Sequence, residues 1–92
     1  MSCLKVKGLD KWQHYKRRNP PWIKLYNSIF NDYQFSRMND CQKFHLIGLW
    51  SLASVMDNKL PDDDAWLAAR IGARTELGID TFIELGFIER CD

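Results

Sequence analysis

Residues 11–18 read KWQHYKRR and set Lys11, Lys16, Arg17 and Arg18 among Trp12, His14 and Tyr15. Ammonium and guanidinium groups neutralise phosphates, and aromatic faces stack on unpaired bases at ~1–3 kcal/mol per base. The mixture therefore suits a polyanion. Asn19, Pro20 and Pro21 follow at once. The first proline pushes Asn19 out of the α region, so the chain leaves the basic run in an extended direction. A rigid hinge behind the cations would hold them in place and lower the ordering cost of binding. The bland alternative is a solvated basic linker, with Trp12 and Tyr15 packed back on the body.

Charge over the whole chain favours the first reading. The net charge of the 92 residues is +1. Residues 1–24 carry seven cations (Lys5, Lys7, Lys11, Lys16, Arg17, Arg18, Lys24) against Asp10, a local net of +6. The other six cations face eleven acids, a net of −5. A basic arm on a mildly acidic body is the simplest description of that split. If four to six phosphates were neutralised, log K would fall with log salt at a slope of about −4 to −5 for duplex.

Other chemistry finds little support. Cys41 and His45 stand i, i+4 on one predicted helix, but zinc needs three or four ligands. The extra candidates, Cys3 and His14, lie in the basic arm, so no metal site is expected. Cys41 reads as a small apolar core residue and His45 as a boundary residue. Asp62, Asp63 and Asp64 lack the spacing of a calcium loop and suit a helix start instead. No Ser/His/Asp set, phosphate loop or glycine-rich cradle occurs, so neither a cofactor nor an enzyme is expected. Three widely spaced cysteines read as free thiols in a reducing cytoplasm. No signal peptide is read at the start. The longest apolar run, residues 46–56, falls short of the ~20 residues of a membrane span.

The elements that would position the arm follow from local pattern. Leu4 and Val6 alternate with Lys5 and Lys7, a strand with one wet face. Pro21 suits a first helical turn, and Trp22, Ile23, Tyr26, Ile29 and Phe30 follow at helical spacing, which predicts a helix over 21–31. Residues 33–38 read as a connector. Asn39 or Asp40 caps a helix over 41–56, apolar on most sides and therefore central. Asp57 and Asn58 stop it, and residues 59–61 form a mini-strand. A helix follows the acidic cap and ends at Gly72. Thr75 starts another over 75–85, weakened by Gly78 and ended by Gly86. Residues 87–90 read as a strand pairing with 59–61. Trp22, Trp50 and Trp66 are expected in the core. Fold class reads as mainly α with short strands: a basic strand and arm over 1–20 on a single domain over 21–92.

Long helix, mini-strand, short helix, tight turn, helix, strand is the winged helix-turn-helix order. The segments HYKRRNPPWIKLYNSIFNDYQFSRMND, LIGLWSLAS, DNKLPDDDAWLAARI and ELGFIE resemble the N-terminal winged-helix domain of phage and prophage replisome-organiser proteins, loosely related to DnaD-type primosomal proteins. The resemblance spans residues 4–90. It implies a DNA-binding module of replication initiation in a bacterial host, with host replication proteins as further partners. With the chain ending at Asp92, the second wing strand would be missing.

The helix that usually reads the major groove would be 75–85. Its polar positions include Glu76, Asp80 and Glu84, spaced by four on one side. Carboxylates oppose a phosphate lattice, whereas groove-reading helices bring Arg, Lys, Asn or Gln. The expected DNA contacts are therefore Lys5, Lys7, Lys11, Lys16, Arg17, Arg18 and, at the helix start, Arg74, with Lys59 and Arg90 as further candidates. Two other readings stay open. One is a dimerisation or docking module that uses the acidic helix. The other is a phage transcriptional regulator on the same fold.

Overall fold

The computed structural model describes residues 2–9 and 21–91. Strand β1, Cys3–Val6, buries Leu4 and Val6 and exposes Lys5, as its period of two requires. β2 is Leu60–Pro61 and β3 is Ile88–Cys91. The sheet order is β2-β1-β3, antiparallel throughout, with Leu4 opposite both Leu60 and Arg90. One expectation is corrected here: β2 and β3 do not pair directly, because β1 lies between them. Leu4 and Val6 need a core, and the middle of a sheet gives β1 two hydrogen-bonding neighbours.

Asn58 fixes the end of that strand. Asp57 and Asn58 both have positive φ, at 57° and 54°, so the chain reverses directly after the long helix. Asn tolerates that region better than most residues. The Asn58 side chain then meets β1 twice: its Oδ1 accepts from the Val6 N–H at 2.8 Å, and its Nδ2 donates to the Val6 carbonyl at 3.1 Å.

Residues 21–31 do not form the expected α-helix. The chain is irregular to Tyr26 and then makes a 3-10 helix, Asn27–Asn31, whose buried side chain is Ile29. Trp22 is 54% exposed, which corrects its assignment to the core. Helical spacing marks residues that share a face, but it does not say that the face is covered. Asp32 is the N-cap of a short helix α1, Tyr33–Ser36, accepting from the Phe35 N–H at 2.8 Å. The supposed connector thus buries Phe35 and Met38.

The long helix α2, Asp40–Val55, opens on a capping box between Asn39 and Gln42. Leu46, Leu49 and Ala53 are fully buried along it. Cys41, Phe44, Ser51 and Val55 are exposed, so the helix is central but keeps a wet edge. The readings of Cys41 as core and His45 as boundary are both corrected: Cys41 is exposed and His45 is buried. Helix α3, Asp64–Ile71, is capped by the Asp63 side chain and ends at Gly72, with φ at 74°. It approaches α2 where Gly48 faces Ile71. Trp50 is core, whereas Trp66 is half-buried under the Arg70 guanidinium at 5.0 Å.

Helix α4, Ile79–Glu84, starts later than Thr75 suggests. The Asp64 carboxylate accepts from the N–H groups of Leu77 at 3.0 Å and Gly78 at 3.1 Å, which holds that stretch as a loop. Phe82 and Ile88 then close the core beside β1. Among the described residues the body is a small α+β unit of four α-helices and one short-stranded, three-stranded antiparallel sheet, in which helix predominates. None of these helices is long and apolar enough to cross a membrane. Cys3 and Cys91 stand opposite each other in the register and form a disulfide, with Cα atoms 5.1 Å apart. This corrects the free-thiol reading for two of the three cysteines and removes the cysteine argument for a reducing compartment.

Candidate nucleic-acid interface

The expected contact residues separate into distinct settings. Lys5 points out of the sheet and meets Glu89 on the neighbouring strand, with Nζ and Oε1 3.2 Å apart. Both side chains are well exposed, so the pair is a weak one that a phosphate could displace. Lys7 is exposed just beyond the strand, and its backbone N–H donates to the Phe87 carbonyl at 3.0 Å. Lys11, Lys16, Arg17 and Arg18 lie outside the described residues.

Arg74 is exposed in the loop before α4, not at a helix start. It lines an open depression with Thr75 and Glu76, which shares no residue with the pocket beside Lys7. Lys59 is exposed. Arg90, the other added candidate, is already engaged. Its Nε donates to Asp62 Oδ2 at 2.8 Å and its Nη2 to Asp80 Oδ1 at 3.0 Å. The Ser2 hydroxyl adds a third bond, donating to Asp62 Oδ2 at 2.9 Å. Hydrogen bonding by Arg90 first, and by Ser2 second, holds the Asp62 carboxyl below its ordinary value. The same carboxylates raise the Arg90 guanidinium further.

The acidic stripe also changes. Glu76 lies in the loop, Asp80 is tied to Arg90, and only Asp80 and Glu84 belong to α4. The three carboxylates therefore do not form one helical face. Among the described residues no group of three or more His, Cys, Asp or Glu stands close enough to hold a metal.

Two features escaped the sequence reading. The first is a set of exposed rings between Trp22 and Phe44. Phe30 is 73% exposed and Tyr33 is 71% exposed, and the Arg37 guanidinium lies 5.7 Å from the Tyr33 ring centre. Asn27, Ser28, Asn31 and Asp32 were the available signal, since four turn-forming residues break an apolar helix. The second is a pocket of about 190 Å³ at the end of β1. Val6, Leu9, Leu25, Trp50 and Phe87 are among its apolar lining residues, and Lys7, Lys24, Asp32 and Gln34 are its polar ones. The Trp50 and Phe87 rings meet edge to face at 6.4 Å. Residues so distant in sequence carry no local signature of a shared pocket.

Comparison with protein-family models, curated proteins and solved structures finds no match.

Proposed function

We propose that this chain is a DNA-binding winged-helix module of a phage or prophage replication-initiation protein, gripping phosphates mainly through its basic N-terminal arm. The observation that carries the reading is the charge split, seven cations against one acid in residues 1–24. The element order α2, β2, α3, α4, β3 supports the fold assignment. So does the sheet. A winged helix needs a strand antiparallel to both β2 and β3, and β1 lies between those two. On this reading the N-terminal strand takes the place of the second wing strand. The root of the arm is then fixed to the body.

The test is a salt titration. Arg17→Glu with Arg18→Glu should weaken binding to many DNA sequences alike. It should flatten the log K against log salt slope by about 2, since each duplex phosphate contact contributes about 0.9. Unchanged affinity and slope would remove the arm from the interface.

A second reading rests on the exposed rings of Phe30 and Tyr33, which stand three residues apart in the chain. They favour docking, by a second copy of the chain or by a host replication protein. Light scattering together with nuclease-treated pull-downs separates the two: a complex that survives nuclease, without any shift of labelled DNA, would favour docking.

A further inference from the structure

The wet edge of α2 has a regular spacing. Cys41, Phe44, Gly48, Ser51 and Val55 recur every three or four residues, so they share one face of the helix. Phe44 is 56% exposed and Val55 49%, and Cys41 and Ser51 are exposed as well. One turn beyond Phe44 this edge becomes the wall of a groove of about 260 Å³ between α2 and α3. Gly48, Ser51, Leu52 and Val55 line it from α2, and Arg70 and Ile71 from α3. Ile71 packs where Gly48 has no Cβ and so forms the far wall. We infer that this edge seats a second copy of the chain, with the two α2 helices antiparallel about a two-fold axis at Gly48. Phe44 of each copy then stands opposite Leu52 of the other, in the middle of the groove. A cavity of about 150 Å³ admits a benzene ring. The groove therefore has room for a phenyl side chain.

A knob and a hole on one helix edge make the self-complementary surface that a two-fold axis requires. A foreign helix would fill the groove and leave Phe44 bare, whereas a copy covers both. Charge points the same way. Arg70 lines the groove, and Asp40 stands in the first turn of α2 on the same edge. Neither is in an ion pair among the described residues. Asp40 of one copy falls opposite Met56 of the other, at the Arg70 end of the groove, which gives two such pairs per dimer. Lys43 is held over the Phe35 ring at 5.5 Å. Asp57, exposed beyond the last turn, is a repulsive neighbour of the incoming Asp40, and Arg70 offsets it. The edge runs about 21 Å from Cys41 to Val55. That is short for the ~800 Å² per partner of a standard complex, so the dimer is weak and concentration-dependent. The inference is independent of the DNA reading. If both hold, a dimer presents two of the basic 1–24 segments to one polyanion and gains avidity.

Sedimentation equilibrium of the full chain without DNA, loaded from about 10 µM to about 1 mM, tests this. The parent should pass from monomer towards dimer as concentration rises. Phe44→Ala should fold as the parent does, since the ring is exposed, and should raise the dissociation constant at least about 30-fold, the effect of losing one hot-spot side chain. Asp40→Lys and Arg70→Glu should each weaken the dimer, and the two together should restore it, which a purely local role for either charge would not do. Val55→Cys should give a disulfide-linked dimer through Cys41 of the other copy when oxidised glutathione is supplied as oxidant. Adding Cys41→Ser should abolish that link. A parent that stays monomeric over the whole range would overturn the inference. So would a dimer indifferent to Phe44→Ala and to the charge exchange, which would place the contact elsewhere. A link that survives Cys41→Ser would overturn the antiparallel register. Because no DNA is present, failure of the dimer leaves the DNA reading standing, and failure to bind DNA leaves the dimer standing.

Discussion

Asn58→Ala tests how the root of the arm is held. The Asn58 amide makes two hydrogen bonds to the backbone of Val6, at 2.8 and 3.1 Å, and both are partly buried. Each such bond is worth about 0.5–1.5 kcal/mol net, so their joint loss costs about 1–3 kcal/mol. Asn58 also has φ at 54°, where a Cβ without a local polar partner costs about 1 kcal/mol more. The expected total is about 2–4 kcal/mol, a large share of the ~5–15 kcal/mol available to a domain. Asn58→Asp is the sharper companion. It keeps an acceptor for the Val6 N–H but sets a carboxylate oxygen against the Val6 carbonyl. Protonation restores a donor there, so the folded-state pKa of this new aspartate is raised. Its stabilising, protonated form is complete at low pH and is lost as pH rises through that folded value. The gap to the parent should therefore narrow as pH falls through about 4. Urea unfolding at pH 7 and pH 3.5, with the slope m held common, measures both effects. A loss under about 0.5 kcal/mol for the alanine variant would mean that Asn58 does not anchor the strand.

Three further outcomes follow from the same packing. Gly48→Ala places a Cβ 3.0 Å from Ile71 Cβ, which sits on the backbone of α3 and cannot swing away, so the ~1 kcal/mol gain in helix propensity should be outweighed and thermal unfolding should come at a lower temperature. Asp62→Asn should lessen acid sensitivity: the depressed Asp62 carboxyl stabilises the fold above the ordinary aspartate pKa and loses that effect as pH falls below about 4, so the unfolding midpoint of the parent should drop more than that of the variant between pH 5 and pH 2. Reducing the Cys3–Cys91 bond, which closes a sequence separation of 88, should lower stability by up to about 4–5 kcal/mol in the chain-entropy account, and Cys91→Ser should show the same loss with no further response to reductant.

What the sequence made legible was governed by neighbours within four residues. The Asn39 and Gln42 box, the Asp63 cap and the Gly72 stop are all local chemistry, and α2 and α3 stand where that chemistry puts them. What misled was decided at a distance. The start of α4 depends on Asp64, which takes the N–H groups of Leu77 and Gly78 from across the loop between α3 and α4. The middle position of β1 depends on two partners some sixty and ninety residues away along the chain, as does the Cys3–Cys91 pairing. Residues 21–31 failed for another reason. Trp22, Tyr26 and Phe30 have the spacing of a buried face, yet periodicity is the same whether the face meets a core, a partner or water.

The same distinction bears on the candidate interface. A count of cations treats Lys5, Lys7, Arg74 and Arg90 alike, but the fold does not. Arg90 is committed to Asp62 and Asp80, and binding a phosphate there would strand two carboxylates beside the ligand. Lys5 faces one exposed carboxylate and can exchange it for a phosphate at little cost. Lys7 combines exposure with a place on the pocket lining, next in the chain to the basic run. Arg74 belongs to a different depression, beside Glu76. If the arm binds DNA, the body's contribution should therefore come from the end of β1, not from the loop before α4. Lys7→Glu should then weaken binding clearly more than Arg74→Glu, although both remove one surface cation. The reverse order would return the interface to the loop before α4.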